Sequence, residues 1–324
     1  MGKAGNNTDY KKTYSDYLNR KKMILLTLFL ATLLMAFLSI NAGAMKLSIR
    51  QVIMGLFGLG NENSVAVVKN LRLPRVITGI LAGAGLSVAG CIMQNNLRNP
   101  LASPSTLGIS NAAAFGANFA IILMGAGNIL NTGLGVVQII NPYKVTIVAF
   151  ICAMLSTILI IFLSRLKNFS PESIVLAGVA LSSLFSAGTI IIQYFAKDTV
   201  QIAAVIFWTF GDLSRASWQE IWILALLLAL ALGYFIYHRW DYNAMDGGED
   251  MAKSLGVRVE RVRLGGMFMA SLITAVTVSF LGIIGFIGLV SPHISKSIIG
   301  RDQRYLIPGS ALMGSLILLT SDTL

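Results

Sequence analysis

Side chains that could carry out metal or redox chemistry are few in this chain of 324 residues. The two histidines are His238 and His293, and Asp241, three residues after His238, has no third metal ligand near it in the sequence. Zinc sites use three or four protein ligands, usually at close spacing. Cys91 and Cys152 lie inside apolar runs, where a free thiol behaves as a small hydrophobic group. We therefore predict no metal site and no disulfide.

Patterns for catalysis and for nucleotide binding are also missing from the sequence. No GxxxxGK(S/T) motif is present, so the chain does not bind ATP through a Walker phosphate loop. Serine, histidine and carboxylate side chains do not group in a catalytic pattern, and the apolar stretches have no series of acidic residues for a proton relay. We predict no catalytic site and no cofactor, so any ATP-dependent step would take place on another subunit.

Two arginines precede a long apolar run, within residues 71–75 (LRLPR). The guanidinium groups of Arg72 and Arg75 could each bind a carboxylate through two parallel hydrogen bonds. Arginines beside an apolar run can also extend from a membrane interface toward water. The sequence leaves both interpretations open.

The most polar internal segment is residues 239–263. We predict that Asp246 is the N-cap of a short helix that ends near Gly256. Met251 and Leu255, four residues apart, would lie on one face of this helix. Such an apolar ridge with a charged rim could dock into a groove of a soluble partner. The same pattern is equally consistent with a loop helix that is exposed to solvent.

The elements that position these residues are apolar. The chain is 55% hydrophobic and 12% charged, whereas soluble domains carry roughly 25% charged residues. Long runs without charge separate the charged clusters, and a membrane-spanning helix needs about 20 apolar residues. The sequence therefore predicts an all-α integral membrane protein, a polytopic helical bundle of about nine spans. These spans are residues 23–40, 76–95, 107–125, 145–164, 173–195, 219–238, 264–282, a short one at 284–294, and 305–321.

The distribution of basic residues predicts the orientation of the bundle. A net charge of +11 would suggest nucleic acid in a soluble protein, but here we predict no nucleic-acid partner and apply the positive-inside rule. Alternating spans place 17 of the 25 lysines and arginines on the side of the N-terminus. We therefore expect the cytoplasmic membrane as location, with residues 1–22 as a basic cytoplasmic tail. Residues 23–324 would form the transmembrane domain, in contact with membrane lipid, and residues 239–263 a cytoplasmic loop.

Two stretches interrupt the helical pattern at membrane depth, residues 96–105 with Pro100 and Pro104, and residues 282–293 with Pro292. Irregular backbone is tolerated there only where it is buried in protein or lines a water-filled cavity. Paired interruptions at matching positions suggest an inverted repeat, faint in this sequence, with a transport path between its halves.

Seven stretches of the sequence, taken together and in order, resemble the permease subunits of ABC importers for iron siderophores, haem and vitamin B12. The resemblance extends from about Leu71 to Asp322, and its specificity comes from the combination, since each stretch alone is short. The stretches are residues 71–75 (LRLPR), 83–94 (GAGLSVAGCIMQ), 98–102 (RNPLA), 107–110 (LGIS), 176–181 (LAGVAL), 252–257 (AKSLGV) and 282–294 (GIIGFIGLVSPHI).

The resemblance implies a set of partners and of site residues. Such permeases form dimers, here a homodimer or a heterodimer, which assemble with two cytoplasmic ABC ATPases and receive their ligand from an extracytoplasmic substrate-binding protein. By this resemblance Arg72 and Arg75 would dock onto glutamates of the binding protein, and Asn99 and Leu101 would narrow the cytoplasmic end of the path. The segment that would enter the ATPase cleft includes Glu249, Met251, Ala252, Leu255 and Gly256.

Residues 173–196 resemble the helix that lines the path in this family. On this helix Ser182, Ser183 and Ser186 are our own expectation for side chains that face the path, and they are not family motif residues. The family also continues with a further docking arginine and a tenth helix, so we expect a longer chain beyond Leu324.

Two other functions remain as alternatives. An ion-coupled secondary transporter would require carboxylates within the membrane, and Asp322 is the candidate that the sequence offers. A membrane assembly subunit without a path would require neither a coupling segment nor paired interruptions.

Overall fold

The computed structural model describes residues 7–43, 45, 47–126, 141–165, 170–196 and 199–324. These residues are mainly helical, and the β structure among them is one isolated bridge between Phe210 and Ile283. The helices in chain order are α1 (Asn7–Asn41), α2 (Ile49–Phe57), α3 (Glu62–Val67), α4 (Leu73–Asn96), α5 (Ile109–Asn118), α6 (Pro142–Arg165), α7 (Pro171–Tyr194), α8 (Thr199–Thr209), α9 (Trp218–Tyr237), α10 (Arg239–Asp246), α11 (Glu249–Ser254), α12 (Val259–Leu281), α13 (Ile287–Ile299) and α14 (Gln303–Thr323).

Seven helical stretches among the described residues are long and apolar enough to cross a membrane. The predicted all-α, polytopic architecture is therefore confirmed. One of these stretches combines α3 and α4 through a π-helical turn, Val68–Arg72. The seven stretches are Tyr14–Asn41, Glu62–Asn96, Pro142–Ser164, Pro171–Tyr194, Trp218–Tyr237, Val259–Leu281 and Gln303–Thr323.

Two of the predicted spans are shorter helices that begin after an irregular segment. The span predicted at 107–125 corresponds to α5 and the π-helical turn Phe119–Leu123, which begin after Gly108 at φ 78°. The span predicted at 284–294 corresponds to α13, which follows residues 282–286. Glycine at positive φ allows a sharp change of chain direction, and this is why these helices start inside the bundle.

Four helices were not predicted, namely α2, α3, α8 and α10. A capping box between Ser48 and Gln51 starts α2, and α8 has only 11 residues. At 1.5 Å per residue α8 extends for about 17 Å, too short to cross a membrane alone. Helix α10 begins directly where α9 ends, at His238. Short elements of this kind give too few residues for a periodic pattern to be recognised.

The centre of the bundle is α4, which packs along α14, α12 and α13. A methyl group on Gly83 would overlap the carbonyl oxygen of Gly314, and one on Gly90 would overlap that of Gly288. Without a hydrophobic driving force in lipid, close backbone approach at small residues is what holds such helices together. The dense glycines of this span therefore have a packing role.

Helix α12 lies antiparallel to α4, which fixes the depth of the segments that follow it. Gly266 faces Ile92 and Asn96 near the end of α4, and Gly85 faces Ile273. The end of α12 therefore lies near the start of α4. We call the end of the bundle that carries Arg72 and Arg75 the arginine end, and the opposite end, which carries α10 and α11, the loop end.

Candidate functional site

Helix α11 presents an apolar ridge at the loop end. Met251 and Leu255 are 55% and 63% exposed, whereas Ala252, which lies between them in the sequence, is completely buried. The helix ends at Ser254, and Gly256 follows at φ 82°. The predicted short helix with two exposed apolar side chains is therefore present.

The prediction that Asp246 caps this helix was wrong. Asp246 is the last residue of α10, and the N-cap of α11 is Gly248, at φ 134°. The sequence Asp246-Gly-Gly allows a turn between two helices, and glycine adopts this backbone conformation without the steric cost that other residues meet.

An ion-pair network ties α11 to the first turns of α12. The Glu249 carboxylate accepts a hydrogen bond from Arg263 at 3.0 Å and lies 3.2 Å from the Lys253 ammonium group. The hydrogen bond from Arg263, with that from Lys253, lowers the pKa of Glu249 below its ordinary value. The Arg263 side chain is 2% exposed, so the helix is fixed to a buried group of the bundle.

Three side chains at the end of α4 bind backbone carbonyls of the loop segment. Asn95 Nδ2 donates to the Tyr242 carbonyl at 3.3 Å, and Asn96 Nδ2 donates to the Arg263 carbonyl at 3.2 Å. The Arg98 guanidinium donates to the Met245 carbonyl at 3.1 Å. We call Asn95, Asn96 and Arg98 the tether, because they connect α4 to α10 and α12. The residues whose carbonyls accept these hydrogen bonds are Tyr242, Met245 and Arg263.

The sequence prediction missed the tether. The sequence contains a pattern that could have indicated it, since two consecutive asparagines and an arginine follow at the end of an otherwise apolar helix. A sequence does not show which carbonyls lie opposite such side chains, and only the packing of α10 against α4 supplies them.

The residues predicted to narrow the path follow the tether directly. Arg98 adopts φ 48°, which is unusual for a residue other than glycine. Asn99 then closes a tight turn, because its Oδ1 accepts the Leu101 amide at 2.9 Å and its carbonyl accepts the Ala102 amide at 3.1 Å. The turn leaves Leu101 67% exposed. Arg98 of the tether and the two predicted gate residues therefore belong to one short loop, residues 98–102, which we call the gate loop after that prediction.

The two irregular stretches predicted from the sequence meet inside the bundle. Pro104 packs against Gly288, where a methyl group would lie 3.2 Å from the proline ring. A cavity of about 10 Å³ lies between the two stretches. Its lining includes Ser103, Ser105 and Thr274. We call this contact the seam, formed by residues 103–105 and 284–289.

Helix α7 lies beside the seam and carries the three predicted serines. Ser183 and Ser186 are exposed on the surface of the subunit. Ser182 is directed toward α5 instead, because its hydroxyl accepts a hydrogen bond from Asn111 Nδ2 at 2.5 Å. A methyl group on Gly108 would lie 3.0 Å from Ser182, so α7 and the segment that follows the seam are in close contact.

At the arginine end, Arg72 and Arg75 have different environments. Arg72 is 8% exposed and donates hydrogen bonds to the carbonyls of Ile40 at 2.8 Å, Asn41 at 3.2 Å, and Met45. Ile40 and Asn41 end α1, where carbonyls lack helical partners, so Arg72 caps that helix. The docking role of Arg72 stays a prediction, and the capping contacts of this side chain were not predicted from the sequence.

Arg75 is the more accessible of the pair, with 47% of its side chain exposed. Its guanidinium forms two hydrogen bonds of 2.8 Å with the carboxylate of Asp322. A cavity of about 520 Å³ adjoins both arginines and Asp322. Asp322, the carboxylate that the secondary-transporter alternative required, is thus paired with an arginine.

No group of three or more histidine, cysteine, aspartate or glutamate side chains that could hold a metal ion occurs among the described residues. His238 Nδ1 lies 2.6 Å from Asp241 Oδ2, with aromatic rings of Tyr234 and Tyr237 beside it. That pair joins the end of α9 to α10. Over the part of the chain that the structure describes, the candidate site thus consists of the irregular seam, the loop with the predicted gate residues and the tethered ridge.

These features define a polytopic helical membrane protein with an exposed apolar ridge at one end. Residues 30–324 match the model of the FecCD transport family, and the chain belongs to this family. It is therefore a permease of the metal-chelate type of ABC importer, a transport component.

Several curated proteins are similar over nearly the whole chain. A Methanocaldococcus jannaschii protein, whose name assigns it to the ABC transporter permeases, is 50% identical, covering 97% of this chain and 89% of that protein. The Fe(3+)-citrate import system permease protein YfmE of Bacillus subtilis is 34% identical, covering 94% and 87%. The hemin transport system permease protein HmuU of Yersinia pestis is 31% identical, with the same two coverages.

A solved structure has the same fold. It is a metal-chelate type ABC transporter in an inward-facing conformation, and it matches with a TM-score of 0.80 and 27% sequence identity, covering 93% of this chain and 90% of that one. The relatives thus agree on the type of transporter while their names give different ligands.

Proposed function

We propose that this permease translocates iron–siderophore complexes across the cytoplasmic membrane, with haem or cobalamin as the alternative cargo. The names of relatives for ferric citrate and hemin support an iron-containing ligand. The described residues offer no cluster of metal ligands, which favours a chelate that keeps its own ligands over a bare ion.

We further propose that the loop end faces the cytoplasm and the arginine end faces outward. The distribution of lysine and arginine in the sequence supports this orientation. Helix α11, with Met251 and Leu255 exposed, would then enter a cleft of the ATPase. Arg75, beside Asp322, would contribute to docking of the binding protein, while Arg72 holds the end of α1 in place.

The observation that carries the proposal is the tether. An apolar ridge alone could be a solvated helix, but this ridge is attached through Glu249 and Arg263 to α12, and through the tether to the gate loop. A displacement of α10 and α11 by ATP binding would therefore move Asn99 and Leu101. This attachment gives a physical route from the partner ATPase to the path.

The proposal is tested by transport in proteoliposomes. The permease is reconstituted with its partner ATPase and supplied with binding protein loaded with a radiolabelled ferric siderophore, haem or cobalamin. We expect ATP-dependent uptake of the ferric siderophore and stimulation of ATP hydrolysis by the loaded binding protein. Uptake driven by an ion gradient without the ATPase would show a secondary transporter instead, and selective uptake of haem or cobalamin would reject the siderophore assignment.

The coupling route is tested by removing tether side chains. In the double variant Asn96→Ala with Arg98→Ala, we expect the ATPase to bind and hydrolyse ATP while ligand uptake falls by about tenfold or more. Arg50→Ala, at an exposed arginine of the opposite end, serves as the control and should transport like the wild type. Normal uptake by the double variant would disprove the coupling role.

A further inference from the structure

Phe286 combines two properties that are rarely found together in a phenylalanine. Its backbone adopts φ 63° and ψ −30°, and its side chain is 78% exposed in the single subunit. Among the described residues only Arg98 is another non-glycine residue with positive φ. Such a conformation persists only where the surrounding structure holds it, and it frequently marks a functional position.

The depth of Phe286 follows from its contacts with α4. The next turn, at Gly288, meets Gly90 and the carbonyl of Leu86. Leu86 is ten residues before the end of α4, so it lies about 15 Å from that end of the helix. Since the hydrocarbon core of a bilayer is about 30 Å thick, Phe286 lies near the middle of the membrane.

Exposure at this depth points to water or ligand and not to lipid. Gly285, which consists of backbone alone, is also exposed, so irregular main chain is accessible beside Phe286. Irregular main chain is not found facing lipid, because its polar groups would have no partners there. The exposed side of this turn therefore faces an aqueous path or protein that encloses such a path, and not lipid.

The neighbours of Phe286 support the path. The ring lies at the seam in the same lining as Ser105, an exposed residue whose hydroxyl group suits water more than acyl chains, while Ser103 and Thr274 are buried behind it. The same segment continues to Gly108, which contacts α7 at Ser182, one residue before the exposed Ser183. The segment that passes Phe286 at the seam thus continues to the helix that we expect to line the path.

We infer that Phe286 provides a ligand-contacting surface in the middle of the translocation path. The surface combines an aromatic ring with the exposed Ser105 and has no charged side chain in its lining. This chemistry suits a large chelate with an apolar or ring-containing exterior, and such a chelate would pass the ring without being bound tightly. This inference rests on the proposed function, because it assumes that a chelate is carried along this face.

The first test measures water access and does not depend on the ligand. Cys91 and Cys152 are replaced by alanine, and single cysteines are introduced by Phe286→Cys and, as control, Leu155→Cys. Leu155 is an exposed apolar residue, 49% exposed, near the middle of the regular helix α6. In the reconstituted complex we expect a charged thiol reagent to modify position 286 at least about tenfold faster than position 155, since thiolate access sets the rate. Equal rates would overturn the inference.

The second test measures transport. We expect Phe286→Ala to lower ATP-driven ligand uptake by about tenfold, while ATP hydrolysis stimulated by the loaded binding protein stays within about twofold of the wild type. Phe286→Tyr, which keeps the ring, should restore uptake. Wild-type uptake by Phe286→Ala would overturn the inference, and so would equal loss in the alanine and tyrosine variants. If the proposed function itself were wrong, the wild-type complex would show no stimulated ATP hydrolysis.

Discussion

At the residue scale, Arg72 and Arg75 show how neighbours of the same type receive different roles. One helical turn separates them, yet Arg72 is enclosed by the end of α1 while Arg75 is directed to the surface. A guanidinium group presents five donors in a fixed plane, which allows Arg72 to satisfy carbonyls of Ile40, Asn41 and Met45 together.

We predict that Arg72→Ala destabilises the permease and that Arg75→Ala does not. The first change removes charged donors from buried carbonyls, each such hydrogen bond contributing roughly 1.5–3 kcal/mol. Arg75 is half exposed, so its pair with Asp322 contributes about 1 kcal/mol or less. Thermal unfolding in detergent measures the difference, and binding-protein affinity should fall only for Arg75→Ala. Equal unfolding midpoints for the two variants would contradict this assignment.

We predict a pH-dependent contribution from Glu249. The Arg263 hydrogen bond lowers the pKa of this carboxyl below its ordinary value of 4.5. Its contribution to stability is therefore complete above that ordinary value and is lost as the pH falls through the lower pKa of the folded protein. Glu249→Gln should unfold at a lower temperature than the wild type at pH 7, and the two should converge in acid. A difference that does not change with pH would reject the ion pair as its cause.

At the element scale, α4 and α14 approach each other so closely that side chains are excluded from the contact. The carbonyl oxygens of Gly83 and Gly314 occupy the positions that methyl groups would need. Gly233, on α9, has no atom within 4 Å of the position a methyl group would take. A comparison of alanine substitutions at Gly83 and at Gly233 therefore separates the effect of packing from that of helix propensity.

We predict that Gly83→Ala lowers the unfolding temperature, by an overpacking cost of about 1–3 kcal/mol. Gly233→Ala should leave it unchanged or raise it slightly, because alanine is favoured over glycine within a helix by about 1 kcal/mol. Thermal unfolding of both variants is the measurement. A stable Gly83→Ala protein would mean that α4 and α14 can separate without loss.

We predict that Leu255→Asp weakens binding of the partner ATPase. The charge would lie on the exposed ridge of α11 and oppose its burial in an apolar cleft, without disturbing the permease fold. The control is Leu59→Asp, since Leu59 is 76% exposed before α3 at the arginine end. Co-purification of the ATPase with each variant tests this prediction, and equal recovery would show that the ridge is solvated.

At the scale of the whole molecule, the length of α4 separates the two ends of the bundle that we propose as binding faces. The loop end carries the ridge, the tether and the gate loop, whereas the arginine end carries the connections that follow α1. The seam lies between these ends, at the level of Leu86. This arrangement requires that the two ends lie on opposite sides of the membrane.

We predict that cysteines introduced by Leu59→Cys and Leu255→Cys react from opposite sides. In intact cells a membrane-impermeant thiol reagent should modify position 59 and should reach position 255 only after permeabilisation. Both native cysteines are replaced by alanine for this experiment. Modification of position 255 in intact cells would reverse the proposed orientation.

The sequence by itself determined the membrane helices, the density of glycine in α4, and the apolar ridge of α11. These features depend on local composition and spacing, because a helix of about 20 apolar residues and a pair of residues four apart have the same consequences in any surroundings. The family resemblance, too, depends on short motifs in order along the chain.

Only the tertiary structure decided which polar groups meet. It placed Arg72 against the end of α1, turned Ser182 toward Asn111, and moved the cap of α11 from Asp246 to Gly248. It also brought the tether to its carbonyls and Phe286 to the middle of the seam. These contacts join residues distant in sequence, and the direction of a side chain within the bundle depends on which helix packs beside it.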